Sequence, residues 1–153
     1  MKPERAWLGV VSAEHARIAV QQYFIQLNHG KRHNVARLRR GDGFVIYSPT
    51  ERFGDTTPLR AFTALGLVAD AEPYLAEPMS MGSHGTVRPW RRRVDFLAVQ
   101  PVPLRELELE LTRQPNWGYQ LRRGLVSLPV EDFEALQAVM TVGDRSRGTS
   151  RSG

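Results

Sequence analysis

Residues 43–48 read GFVIYS and residues 59–70 read LRAFTALGLVAD, and these two stretches decide the fold. Both are apolar and rich in β-branched and aromatic types, so both predict strands. Gly41-Asp42-Gly43 predicts a tight turn into the first, and Pro49 ends it. Gly66 inside the second predicts a bulge, or a bend at a barrel corner.

Upstream, AWLGVV at 6–11 predicts a first strand. Ser12 then offers an N-cap hydroxyl and Glu14 an anion for the first helical turn. Ala16, Ala19, Val20 and Tyr23 recur at helical spacing, which predicts a helix over 13–23. FIQLNHGKRH at 24–33 follows neither period and reads as a polar loop, with one helical turn expected in 34–39. Downstream, Pro73, Pro78, Gly82 and Gly85 predict a long loop over 71–87. RPWRRRVDFLAV at 88–99 alternates, with Trp90, Val94, Phe96 and Ala98 on one side and Arg91, Arg93 and Asp95 on the other. Pro101 and Pro103 close it, LREL at 104–107 allows a helical turn, and GLVSL at 124–128 is the last predicted strand. Pro129 opens a helix at about 130–140 whose stripe is Val130, Phe133, Leu136 and Met140. Successive strands with glycine bends, framed by helices, predict an α+β fold: a partly open barrel of about five to six strands.

Composition bounds the function. The 153 residues suit one domain, set here at 1–142, and the GDRSRGTSRSG tail at 143–153 has no apolar anchor and is expected to be disordered. No apolar run approaches a bilayer span and the N-terminus lacks a signal peptide, so no membrane partner and a cytoplasmic location are expected. Zero cysteines remove thiolate chemistry, iron–sulfur clusters and disulfides. The formal charge is +5, and every cation except Lys2 and Lys31 is arginine, the side chain best shaped for phosphate.

Catalytic motifs are missing. His29 and His33 stand four apart but around Gly30 in a loop, and neither they nor His15 and His84 come with a carboxylate placed as a further ligand, so no metal and no cofactor are expected. There is no nucleophile elbow and no phosphate-binding loop, and Asp42 reads as a turn residue. The unusual feature is cationic and aromatic. Trp90 lies among Arg88, Arg91, Arg92 and Arg93, a pattern that serves either a core tryptophan with solvated arginines or a groove that stacks bases and holds phosphates. Arg122-Arg123 and the group Arg37, Arg39 and Arg40 add positive charge.

Six colinear segments resemble the EVE domain over roughly residues 5–142: AWLGVVS, FIQLNHGK, LRRGDGFVIYSP, LRAFTALGLVADAEPY, HGTVRPWRRRVDFL and NWGYQLRRGLVSLPVEDFEAL. The chain is similar to the small stand-alone bacterial branch of that family. The resemblance implies a PUA-like pseudo-barrel related to YTH domains, with a pocket that takes a modified base from nucleic acid, DNA ahead of RNA. The pocket so implied draws on Ser12, Phe24, Gln26, Asn28, His29, Tyr47, Ser48 and Pro49, with Trp90 or Trp117 as further aromatic walls. Arg88, Arg91, Arg93, Arg122 and Arg123 are the phosphate contacts expected around it. FIQLNHGK departs from the other EVE branch, which has a Trp and a G-V-R-N-like stretch there, so a cage tryptophan is expected to be either absent or replaced by Phe24. A non-catalytic reader of a methylated base follows. The rivals are a nucleotide-processing enzyme with His29 as general base and a protein-interaction module.

Overall fold

In a computed structural model, residues 2–80 and 85–141 are described. His84 and the tail at 143–153 lie outside them. The elements are β1 (Ala6–Val10), α1 (Ala13–Gln22), β2 (Phe24–Ile25), α2 (Arg32–Val35), β3 (Gly43–Ser48), β4 (Ala61–Val68), β5 (Tyr74–Leu75), β6 (Met79–Ser80), β7 (Thr86–Val87), β8 (Trp90–Phe96), β9 (Val102–Pro103), α3 (Trp117–Gln120), β10 (Leu125–Leu128) and α4 (Val130–Met140). The main sheet runs β10-β1-β3-β4-β8-β2, with β5 added to β8 and β9 to β4. Among the described residues only β1 and β3 pair in parallel, which is the geometry a crossover through α1 and α2 allows. The path ends at β10 and β2 without closing on itself. The architecture is thus α+β with an open sheet flanked by helices.

Alternation along the strands fills both faces. Ala6, Leu8, Val45 and Tyr47 point to one side, where Phe133, Leu136 and Met140 of α4 cover them together with Leu109 and Leu111. Trp7, Phe44 and Ile46 point to the other, under Ala16 and Ala19 of α1 and Val35 of α2. Asp132, buried in the first turn of α4, accepts from the backbone N–H groups of Glu110 and Leu111 at 2.9 Å each. That bond pair pins the irregular 104–123 crossover over the first face.

Several expectations are corrected. The register break falls at Thr63, which has no partner between Ile46↔Ala64 and Tyr47↔Phe62. Gly66 is instead a point of close approach: a Cβ there would meet the Asp95 carbonyl oxygen at 2.3 Å. The helix over 13–23 stops at Gln22, because Tyr23 turns into the left-handed region with φ 59° and is exposed. The supposed loop at 24–33 contains β2, paired Phe24↔Arg93 and Ile25↔Arg92, then a 3₁₀ turn at Asn28–Gly30 and the start of α2. The loop at 71–87 contains β5, β6 and β7, strands of two residues that carry too little pattern to be read from sequence. The strand at 88–99 spans only Trp90–Phe96, which leaves Ala98 exposed beyond its end.

The arginine run divides by parity. Arg92 shares the inner face with Val94 and is 0% exposed. Its Nε donates to Asp70 Oδ1 at 2.7 Å, Nη1 to the Val35 carbonyl at 2.8 Å and also to the Leu38 carbonyl, and Nη2 to the Asp70 carbonyl at 2.8 Å. It therefore satisfies carbonyls at and beyond the end of α2, a charge made tolerable by a hydrogen bond from every guanidinium nitrogen. Arg91 and Arg93 point the other way.

Candidate functional site

The parallel strands β1 and β3 end beside the N-terminus of α1, and β2 leads away from its C-terminus. Between these ends the second face stays open as a cleft of about 1000 Å³. Val10, Val11 and Ser12 form one part of its wall, Phe24, Gln26, Asn28 and His29 another, and His15 and Ile18 project from α1. Lys31, Arg91 and Arg122 bring cations to it, and none of the described residues that line it is Asp or Glu.

Each wall residue has a local cause. Ser12 caps α1, its Oγ accepting from the His15 backbone N–H at 3.2 Å, so its side chain is fixed at the cleft edge. Asn28, His29 and Gly30 all have positive φ, 51°, 57° and 85°. For a histidine this is a strained backbone, and strain of that kind persists only where the surroundings over-determine it. Asn28 supplies the constraint. Its Oδ1 accepts from Asn34 Nδ2 at 2.6 Å, and its Nδ2 donates to the Arg123 carbonyl at 3.2 Å. Asn34 Nδ2 also donates to that carbonyl, at 2.9 Å. The following Gly124 has φ 79°, and a Cβ on it would lie 2.6 Å from the Asn28 amide nitrogen. The chain thus brings residues 28–30 and 122–124, remote in sequence, into one rigid corner.

Phe24 is only 4% exposed, because the Arg91 guanidinium carbon sits 3.9 Å from its ring centroid. Arg91 is held there by Nε donating to Gln26 Oε1 at 3.0 Å, and its Nη2 lies 3.7 Å from Met79 Sδ. Burial lowers the Arg91 pKa from its ordinary value. His15 lies beside Phe24, with ring centroids 6.3 Å apart. Burial first, and the Arg91 charge second, lower the His15 pKa from 6.5, so the imidazole is neutral at pH 7. Its Nε2 is buried without a hydrogen-bond partner.

Of the residues singled out in the sequence, Ser12, Phe24, Gln26, Asn28, His29, Arg91 and Arg122 meet at this cleft. The others do not line it. Tyr47 is buried on the α4 face, where Trp117 packs edge-on against it at 5.9 Å, and burial raises its pKa. Ser48 is buried and hydrogen-bonded to Thr63 Oγ1 at 2.7 Å. The Pro49 carbonyl accepts from the backbone N–H groups of Leu59 at 2.7 Å and Arg60 at 3.2 Å, closing the loop between β3 and β4. Trp90 packs on the inner cluster with the Arg32 guanidinium 5.2 Å from its ring. Arg88 donates to the Ala76 carbonyl at 3.2 Å, Arg93 covers the Tyr74 ring at 4.8 Å, and Arg123 contributes its backbone carbonyl rather than its charge to the corner. Tyr47, Ser48 and Pro49 follow a β-strand whose alternate side chains face opposite layers, so adjacency in sequence could not place all three in one pocket. His15, Lys31, His33 and Met79 line the cleft, with Phe53 at its rim, and were not singled out for it. His15 had a signal: it sits one turn into α1, next to the N-cap. Phe53 had none beyond being an aromatic residue in a turn.

Among the described residues, no group of three or more His, Asp and Glu could hold a metal, and no helix is long and apolar enough to cross a membrane.

Comparison with known proteins places this geometry. The EVE domain family profile matches residues 5–139. A UPF0310 protein of Renibacterium salmoninarum is 43% identical over 137 residues, 88% of this chain and 94% of that protein. One from Mycobacterium avium is 41% identical over 138 residues, 88% of this chain and 96% of its own length. The UPF0310 protein YdcG of Bacillus subtilis is 30% identical over 139 residues, 89% and 92% of the two chains. The chain belongs to the EVE domain family, a PUA-like fold.

Proposed function

We propose that this protein is a non-catalytic nucleic-acid-binding module that holds one modified, methylated base in the cleft, with DNA ahead of RNA as its partner. Membership of the EVE family suggests nucleic-acid binding. The observation that carries the reading is the cleft's chemistry: neutral hydrogen-bonding side chains and a planar cation on an aromatic ring, without a carboxylate. A base entering would lay its face on the outer side of the Arg91 guanidinium, a plane on which bases stack. Stacking is worth about 1–3 kcal/mol per base. Gln26 and Asn28 are within the same wall and can read a base edge. The opposing cost is unstacking the base, a few kcal/mol in a duplex and less in a single strand.

The rival reading is a nucleotide-processing enzyme with His29 as general base. The test is a thermal-shift panel of free modified and unmodified nucleosides. Binding to the native state alone raises the melting temperature by mass action. The reading expects stabilisation by a methylated nucleoside and little by its unmodified parent. Equal shifts for both members of every pair, or conversion of any nucleoside to product, would overturn it.

A further inference from the structure

Phe53 is the most exposed large apolar side chain described, 85% exposed, and it stands on the rim of the cleft. A single exposed apolar side chain is ordinary on a protein surface. Its support is not. The loop that carries it is pinned to the start of α1, where the Ala13 N–H donates to the Thr50 carbonyl at 3.0 Å and the Glu14 N–H to the Glu51 carbonyl at 2.9 Å. These are N–H groups that a helix N-terminus leaves without intrahelical partners, so the loop is a cap as well as a connector. Ion pairs from Arg17 to Glu51 and from Arg52 to Glu14 reinforce the join. Inside the loop, Thr50 Oγ1 donates to the Arg52 carbonyl at 2.7 Å, and the Arg52 N–H donates to Asp55 Oδ2 at 2.9 Å. The ring itself touches the cleft edge-on at His29, with centroids 5.9 Å apart and planes at 88°.

The backbone is therefore fixed while the ring face is left to solvent, at the mouth of a cleft whose cations Lys31 and Arg122 attract phosphate. A free nucleoside sitting inside the cleft has no use for an aromatic face outside it. A strand does, because the nucleotide beside the captured one loses its stacking neighbour when the base leaves the stack. Resting on the base-binding reading above, we propose that Phe53 is the stacking platform for that neighbouring nucleotide. The ligand is then a base within a polynucleotide strand rather than a free nucleoside.

Two probes separate the readings: a nine-nucleotide DNA single strand with one central 5-methylcytosine, and 5-methyl-2′-deoxycytidine. Each is titrated against the full chain, Phe53→Ala and Phe53→Trp. Phe53→Ala removes an exposed ring, so its melting temperature should match the parent's. Its affinity for the strand should fall roughly 5–150-fold, the value of one base–aromatic stack, while its affinity for the nucleoside stays within about twofold. Phe53→Trp, with a larger face, should keep or tighten strand binding. Equal losses for strand and nucleoside would make Phe53 part of the cleft wall and overturn the inference. Unchanged strand affinity in Phe53→Ala would overturn it while leaving the base-binding reading standing. If the parent binds neither probe, the base-binding reading for this base falls and the inference falls with it.

Discussion

The two faces of one sheet are finished in opposite ways. Under α4 the strands bury Leu8, Val45, Phe62 and Leu65 against Phe133, Leu136 and Met140, and the main polar group inside, Asp132, is spent on backbone N–H groups. Under α1 and α2 the packing is as dense over Phe44 and Ile46, but it stops short of the β1 and β3 ends. There the wall is built from polar and cationic side chains on a strained turn. The first face stabilises, and the second leaves an unsatisfied opening that a ligand can complete. Adjacent residues of β8 repeat the contrast: Arg92 is buried with every guanidinium nitrogen bonded inward, and Arg91 lies in the cleft on Phe24.

That contrast can be broken from its closed side. Phe133→Ala removes a fully buried ring and should cost about 3–5 kcal/mol in denaturant unfolding. Where the variant remains folded, its ligand affinity should equal the parent's. Arg92→Met leaves Asp70 without its partner and exposes carbonyls of the α2 end to no donor, so a loss of about 3 kcal/mol is expected. Arg91→Met is the matching change on the open side. It gives up the cation–π contact with Phe24 and the hydrogen bond to Gln26 Oε1, together about 1–2 kcal/mol of stability, but it should abolish most of the base affinity. Equal destabilisation by Arg91→Met and Arg92→Met would erase the distinction drawn between them.

The sequence carried the closed face well and the open face poorly, for a physical reason. Phe133, Leu136 and Met140 repeat at helical spacing, and GFVIYS is buried along its whole length, so periodicity alone locates α4 and β3. Period two also places Arg92 beside Val94, a hint that one arginine of the run turns inward. The cleft, however, is assembled from residues 10–33, 53, 79, 91 and 121–124, brought together by two-residue strands and left-handed turns. Such short elements have no period to read. The family resemblance implies Tyr47 and Trp117 in the expected pocket, while the structure gives both to the α4 face.

Smaller effects sharpen the picture. His15 is held neutral by burial and by Arg91, so the unfolded chain binds its proton more readily. The native state is then penalised as pH falls below the ordinary value of 6.5, and the penalty is absent above it. Melting temperatures taken from pH 7.5 to 5.5 should fall less steeply for His15→Gln than for the parent, and parallel curves would show that His15 is not the group responsible. Salt should act mildly. With two or three phosphates met by Lys31, Arg122 and their neighbours, the log–log slope for a single strand should be about −1.5 to −2.

The most direct measurement is a titration of the intact protein against one DNA single strand in two forms, with and without a methyl group on its central base. The cleft is read as a base pocket, so the methylated strand should bind at least about tenfold more tightly, and Arg91→Met should remove that difference. Equal affinity of the intact protein for the two strands would contradict the account.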